Sequence, residues 1–178
     1  FFATGIYARG EVNQTLSPAM DIQVASNFER FLYYHFDQDS DRLVAFMQEF
    51  TATGSASIGA PPNTQLMSSV AVNTEQTLAA MRDVNQQFQY VLDPHTAVGY
   101  HAARKHLDEM SKGTDIVVVA TAHPAKFPDA VQEATGFEPT HPTLEALKGL
   151  DMHRTALPCD IGAVKTYLVE KLQMAREA

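Results

Sequence analysis

Apolar residues recur along this chain in two rhythms, one close to 3.6 residues and one continuous over a short run. In "SNFERFLYYHF", Phe28, Phe31, Leu32 and His35 fall on one helical face, and Ser26 with Glu29 predicts a capping box at its start. "SDRLVAFMQEF" repeats the design, with Ser40 or Asp41 as the expected cap and Leu43, Phe46, Met47 and Phe50 as the stripe. The stretch 51–69, containing "TGSASIGAPPNT", predicts a loop with at most a short strand. "NTEQTLAAMRDVNQQF" returns to helix, with Leu78, Met81, Asn85 and Phe88 on one side. Tyr90 to Leu92 reads as a short strand running into "DPHTAVGYHAARKHL", where Asp93 caps and Pro94 takes the first helical position.

"DIVVVAT" is apolar without alternation, which predicts a strand covered on both faces, as in a parallel sheet. "PDAVQEATG" predicts a helix closed by Gly136. A Pro-punctuated stretch with a short helix near Leu144 to Leu147 follows, and a last helix begins after Asp160. No repeat or linker interrupts the order of helix, strand, helix, strand, helix. The expected class is α/β, with helices around a mostly parallel sheet.

Composition narrows this further. The chain has 178 residues, 45% hydrophobic and 19% charged, enough for a packed core. No apolar run approaches the length of a membrane span. The net charge of −8, without a basic stripe, argues against nucleic acid as a partner. One cysteine, Cys159, allows no internal disulfide and points to a reducing, cytoplasmic setting. The opening "FFATGIYARG" reads as the interior of a longer protein.

Candidate chemistry gathers at two expected strand ends. In open α/β sheets ligands bind beyond the carboxyl ends of the strands. Thr121, His123 and Lys126 lie just past one such end. Asp93, His95 and Thr96 lie past another, at a helix start where backbone N–H groups favour an anion. Both sets also read as ordinary caps and turns. Lys126 could supply positive charge or pair with a carboxylate such as Asp129, and His123 could orient its loop. Asn27 and Arg30 sit one turn apart in "SNFER", where a guanidinium could grip a phosphate or stand solvated. Seven histidines invite a metal, but His101 and His106 are five apart rather than four, so no metal site is expected. Cys159 lacks a placed partner and reads as structural.

"TGIYARGEVNQTLSPAMDIQVASNFERFLYY", "YVLDPHTAVGYHAA" and "TAHPAKFPDAV" resemble the C-terminal part of threonine synthase, in its bacterial and fungal branch. The resemblance implies the tryptophan-synthase-like, type II fold of enzymes that use pyridoxal 5'-phosphate (PLP). It also implies conversion of O-phospho-L-homoserine and water to L-threonine and phosphate. On that reading residues 1–178 are the C-terminal part of the catalytic domain. The Schiff-base lysine and the phosphate loop would lie in an N-terminal part of the same protein, and this chain would be inactive alone.

The resemblance gives Thr121 the role of hydroxyl partner to the pyridine nitrogen. Lys126, His123, Asn27, Arg30, Asp93, His95 and Thr96 would line the active site. A non-catalytic binding module on the same scaffold is the alternative, and a metal hydrolase using the histidines a more distant one.

Overall fold

Asn27 begins the first helix, α1 (Phe28–His35), already in a right-handed turn and with no side-chain cap. The expected Ser26–Glu29 box does not form. Backbone bonds from Phe28 N–H to Ala25 O and from Arg30 N–H to Asn27 O take over the start. α2 (Ser40–Thr53) is capped one residue earlier than expected. Asp39 is extended, so its carboxylate reaches the Arg42 N–H at 3.0 Å, while Ser40 and Asp41 are already helical.

A computed structural model describes residues 1–62, 67–107, 113 and 115–177, with side chains to 175. Part of the expected 51–69 loop, residues 63–66, therefore lies outside the described residues. The chain divides into two compact units, Phe1–His141 and Pro142–Ala178.

The first unit has two apolar clusters. In one, Leu32, Phe36, Phe46, Phe50 and Ala56 are buried, with Phe28, Phe31, Leu43 and Met47 packed around them. Most of both expected stripes lies here, but His35, expected on the buried face of α1, is exposed, and Phe36, just past the helix, is buried in its place. The cluster is covered by an antiparallel pair, β1 (Ile6–Ala8) and β2 (Ser55–Ser57), in which Tyr7 opposes Ala56. Tyr7 stacks on Phe50 at 4.4 Å between ring centres. Gly5 leads into β1 at φ 73°, where a Cβ would stand 2.3 Å from the Ala60 carbonyl oxygen. Only glycine fits both the dihedral and the space.

The second cluster joins α3 (Thr74–Phe88), α4 (Pro94–His106) and α5 (Pro128–Thr135) through Leu78, Met81, Val84, Leu92, Ala97 and Val131. α3 opens on a capping box of Asn73 and Gln76. Its last turn differs from expectation. Phe88 is 64% exposed, because the buried face is Thr77, Leu78, Ala80, Met81 and Val84. α5 ends on Gly136 at φ 84°, as its sequence predicts.

The parallel sheet expected within the chain is absent among the described residues, where the β1–β2 pair is the only ladder. Residues 90–92 and 115–121 form no strand. An apolar cleft of about 320 Å³, lined by Val84, Leu92, Tyr100, Val118 and Ala120, opens beside both segments. No backbone hydrogen bond joins them among the described residues. Val117 and Val119 are 84% and 71% exposed, not covered on both faces.

The second unit contains α6 (Pro142–Glu145) and α7 (Ile161–Glu177). Asp160 caps α7 as expected, its carboxylate accepting from the Ala163 N–H at 2.8 Å. Cys159 is exposed and free.

Candidate functional site

Asp93 is 1% exposed and stands at the N-cap of α4. Its extended backbone turns the carboxylate back over the first helical turn, and Pro94 fixes the entry. One oxygen accepts from the His95 N–H at 2.9 Å and faces His95 Nδ1 at 3.2 Å. The Thr96 N–H reaches the same oxygen at 3.4 Å, and the Thr96 hydroxyl donates to the other in a short bond. A buried charge is stable only when its lone pairs are satisfied, and these four donors do that.

The bonds continue outward in two arms. A carboxylate only accepts, so His95 carries its proton on Nδ1. Its Nε2 then accepts from the Ala19 N–H at 3.3 Å. Ala19 belongs to the loop Thr15–Asp21, which is closed on itself. The Asp21 carboxylate takes the Thr15 hydroxyl and the Thr15 N–H, each at 2.7 Å. In the other arm, the Thr96 hydroxyl spends its proton on Asp93 and accepts from the Thr121 N–H at 3.3 Å. Asp93, His95, Thr96 and Thr121 thus form one connected group.

Thr121 itself is exposed, and its hydroxyl makes no hydrogen bond among the described residues. The chain then enters a single 3₁₀ turn, Pro124–Lys126, capped by His123, whose Nδ1 accepts from the Ala125 N–H at 3.1 Å. The His123 ring also meets the His141 ring edge-on at 4.7 Å. Lys126 is exposed and makes no ion pair among the described residues, so the alternative pairing with Asp129 is not formed. Asn27 and Arg30 are exposed at the start of α1, with no hydrogen bond or ion pair to the Asp93 group among the described residues.

Two features of this region have no clear signal in the sequence. The Thr15–Asp21 loop was legible only as a hydroxyl and a carboxylate flanking Ser-Pro, and nothing local points to its tie with His95. The second is Tyr100, whose hydroxyl donates to Asp83 at 3.2 Å. Burial, and then that hydrogen bond, hold its phenol above the usual value. Among the described residues, no three His, Cys, Asp or Glu side chains cluster to hold a metal ion, and no helix is long and apolar enough to cross a membrane.

Residues 96–168 match the family described as threonine synthase, C-terminal. The chain is 34% identical to the threonine synthase of Corynebacterium glutamicum, an alignment that covers 97% of this chain and 37% of that protein. Against the threonine synthase of Saccharomyces cerevisiae it is 31% identical, over 100% of this chain and 36% of the relative. The crystal structure of PLP-bound threonine synthase from Brucella melitensis superposes with a TM-score of 0.77 at 37% identity, over 92% of this chain and 36% of that one. The chain therefore spans a little over a third of the length of the proteins it matches. Its fold is a portion of that α/β architecture.

Proposed function

We propose that this chain, a member of the threonine synthase family, forms the C-terminal part of the catalytic domain of a PLP-dependent lyase. The reaction is conversion of O-phospho-L-homoserine and water to L-threonine and phosphate. The observation that carries the reading is the state of Thr121: an exposed residue whose backbone amide is fixed by Thr96 and whose hydroxyl makes no hydrogen bond among the described residues. This lies inside the segment that matches the family.

The residues present fit one edge of the cofactor. A free hydroxyl on a fixed backbone can offer a hydrogen bond to a pyridine nitrogen, and a neutral partner does not enforce protonation of that nitrogen as a carboxylate would. When bound, PLP supplies the electron sink that allows loss of protons from the substrate carbon chain and departure of its phosphate. The chain's own residues hold and orient. Thr121 meets the ring. Lys126, exposed and unpaired among the described residues one turn further on, offers a cation to the phosphate of the substrate. Arg30, exposed at the start of α1 with Asn27 beside it and without an ion pair among the described residues, could offer a second cation to the same anion. His123 shapes the turn that presents Lys126. Asp93, His95 and Thr96 line the site as its buried support. The anchoring lysine and the phosphate loop belong to the remainder of the protein. The single exposed thiol supports a reducing, cytoplasmic setting.

The test is substitution of Thr121 in the whole protein. Thr121→Ala removes a hydrogen bond of about 1–3 kcal/mol, so PLP affinity falls roughly 5- to 150-fold. Thr121→Asp shifts the cofactor absorption band to longer wavelength and lowers turnover more than affinity. If both variants bind PLP and turn over as the parent does, the assignment of Thr121 is wrong.

A further inference from the structure

We propose that Thr96 and Asp93 are positioning residues for Thr121: a buried carboxylate orients the Thr96 hydroxyl, which in turn holds the Thr121 backbone where its own hydroxyl can meet the cofactor. The inference rests on the proposed role of Thr121 and extends it to the buried residues behind it. Of residues 115–121, only Thr121 makes a hydrogen bond among the described residues, and its partner is Thr96 Oγ1. Val118 and Ala120 pack along the apolar cleft, and the hydrogen bond that fixes the segment's end among the described residues falls on Thr121, an exposed residue.

The direction of the bonds gives the pin its specificity. A carboxylate cannot donate, so the Thr96 proton must go to Asp93, which leaves a lone pair of Thr96 Oγ1 aimed at the Thr121 N–H. Thr96 is 4% exposed, so water does not compete for that lone pair. Asp93 is fixed in turn by the His95 and Thr96 amides at the start of α4. The helix start thus acts as a rigid mount whose last link is one hydroxyl. Serine could replace that link, while valine, nearly the same in shape, could not.

The experiment uses the whole protein with the variants Thr96→Val, Thr96→Ser, Thr121→Ala and the Thr96→Val/Thr121→Ala pair. Two quantities are read: amide hydrogen exchange at residue 121 in the PLP-free protein, and PLP affinity by fluorescence titration. Losing a hydrogen bond corresponds to about a fivefold effect. Thr96→Val is therefore expected to speed exchange at Thr121 and weaken PLP by at least that factor, with Thr96→Ser restoring both. In the Thr121→Ala background, Thr96→Val is expected to weaken PLP no further, because there is no hydroxyl left to position. Should the valine variant not fold, Thr96→Ala repeats the measurement without the added methyl.

Unchanged exchange at Thr121 in Thr96→Val overturns the tether even if Thr121→Ala weakens PLP. So does a PLP effect that simply adds to that of Thr121→Ala, the mark of a general structural role. If Thr121→Ala alone leaves PLP affinity unchanged, the cofactor role of Thr121 is what fails, and the positioning role falls with it.

Discussion

The Nε2 atom of His95 accepts a hydrogen bond from the backbone N–H of Ala19 at 3.3 Å, across 76 positions of sequence. That bond holds the Thr15–Asp21 loop to the start of α4. His95→Ala leaves the Ala19 amide without its acceptor and removes the ring contact to Asp93, whose oxygen keeps the two backbone N–H donors. The expected cost is about 1–3 kcal/mol, read by denaturant unfolding, with faster amide exchange at Ala19. His153→Ala, at an exposed position, serves as the control and leaves both unchanged.

Gly5 combines a positive φ with no room for a side chain. Gly5→Ala drives a methyl toward the Ala60 carbonyl oxygen, 2.3 Å from where its carbon would sit. Strain of this kind costs about 1–3 kcal/mol. The loss should appear as a lower unfolding midpoint. Gly54→Ala has nothing within 4 Å to meet and carries only the cost of its φ of 79°. The first variant should therefore be the less stable, and the reverse order would refute the steric account.

Tyr100 makes stability sensitive to alkali. Partial burial, and then the bond to Asp83, raise its phenol above the usual value near 10. The folded protein therefore holds this proton more tightly than the unfolded chain. The contribution is complete below about pH 10 and is lost as pH rises through the higher folded-state value. Unfolding followed from pH 8 upward should show an alkaline decline that Tyr100→Phe reduces. An identical decline in that variant would show that another group is responsible.

The chain taken alone should not form a specific covalent adduct with PLP. Thr121 offers one hydrogen bond, on the order of 1–3 kcal/mol, against the several anchors a bound phosphate normally finds. Borohydride reduction after near-stoichiometric PLP should give scattered, partial labelling of Lys105, Lys126, Lys148, Lys165 and Lys171, and of Lys112, which lies outside the described residues. Stoichiometric labelling of one lysine, Lys126 above all, would mean that this chain holds its own catalytic centre.

Local signals were legible in the sequence where local physics decides. The stripe of α2, the Phe28–Phe31–Leu32 part of α1, the Asp93–Pro94 start of α4 and the Gly136 end of α5 follow from periodicity and capping, whereas His35 turns out exposed. Caps shifted by one residue at α2 because Ser40, Asp39 and Asp41 are all competent, and backbone geometry chose among them. "DIVVVAT" predicts a covered strand, since apolar continuity reports what a segment is suited to. Whether a ladder forms depends on a partner, and among the described residues it has none. The Asp93–His95–Thr96 group was visible as a helix start. Its two arms were not, because they join positions 76 and 25 residues apart with no periodic trace.

Those long spans also set an order of events in time. α3 and the first turn of α4 close through neighbours three or four positions apart, on the sub-microsecond scale of helix growth. The bond from Ala19 to His95 must wait until a loop of 76 residues has closed, and non-local closure is what slows folding. Asp93 therefore acquires its cap early and its outer arms late. In a refolding experiment, helical signal should return before protection at Ala19 and Thr121. The candidate site would then be among the last places to become native, and its amides would report when the first unit has finished folding.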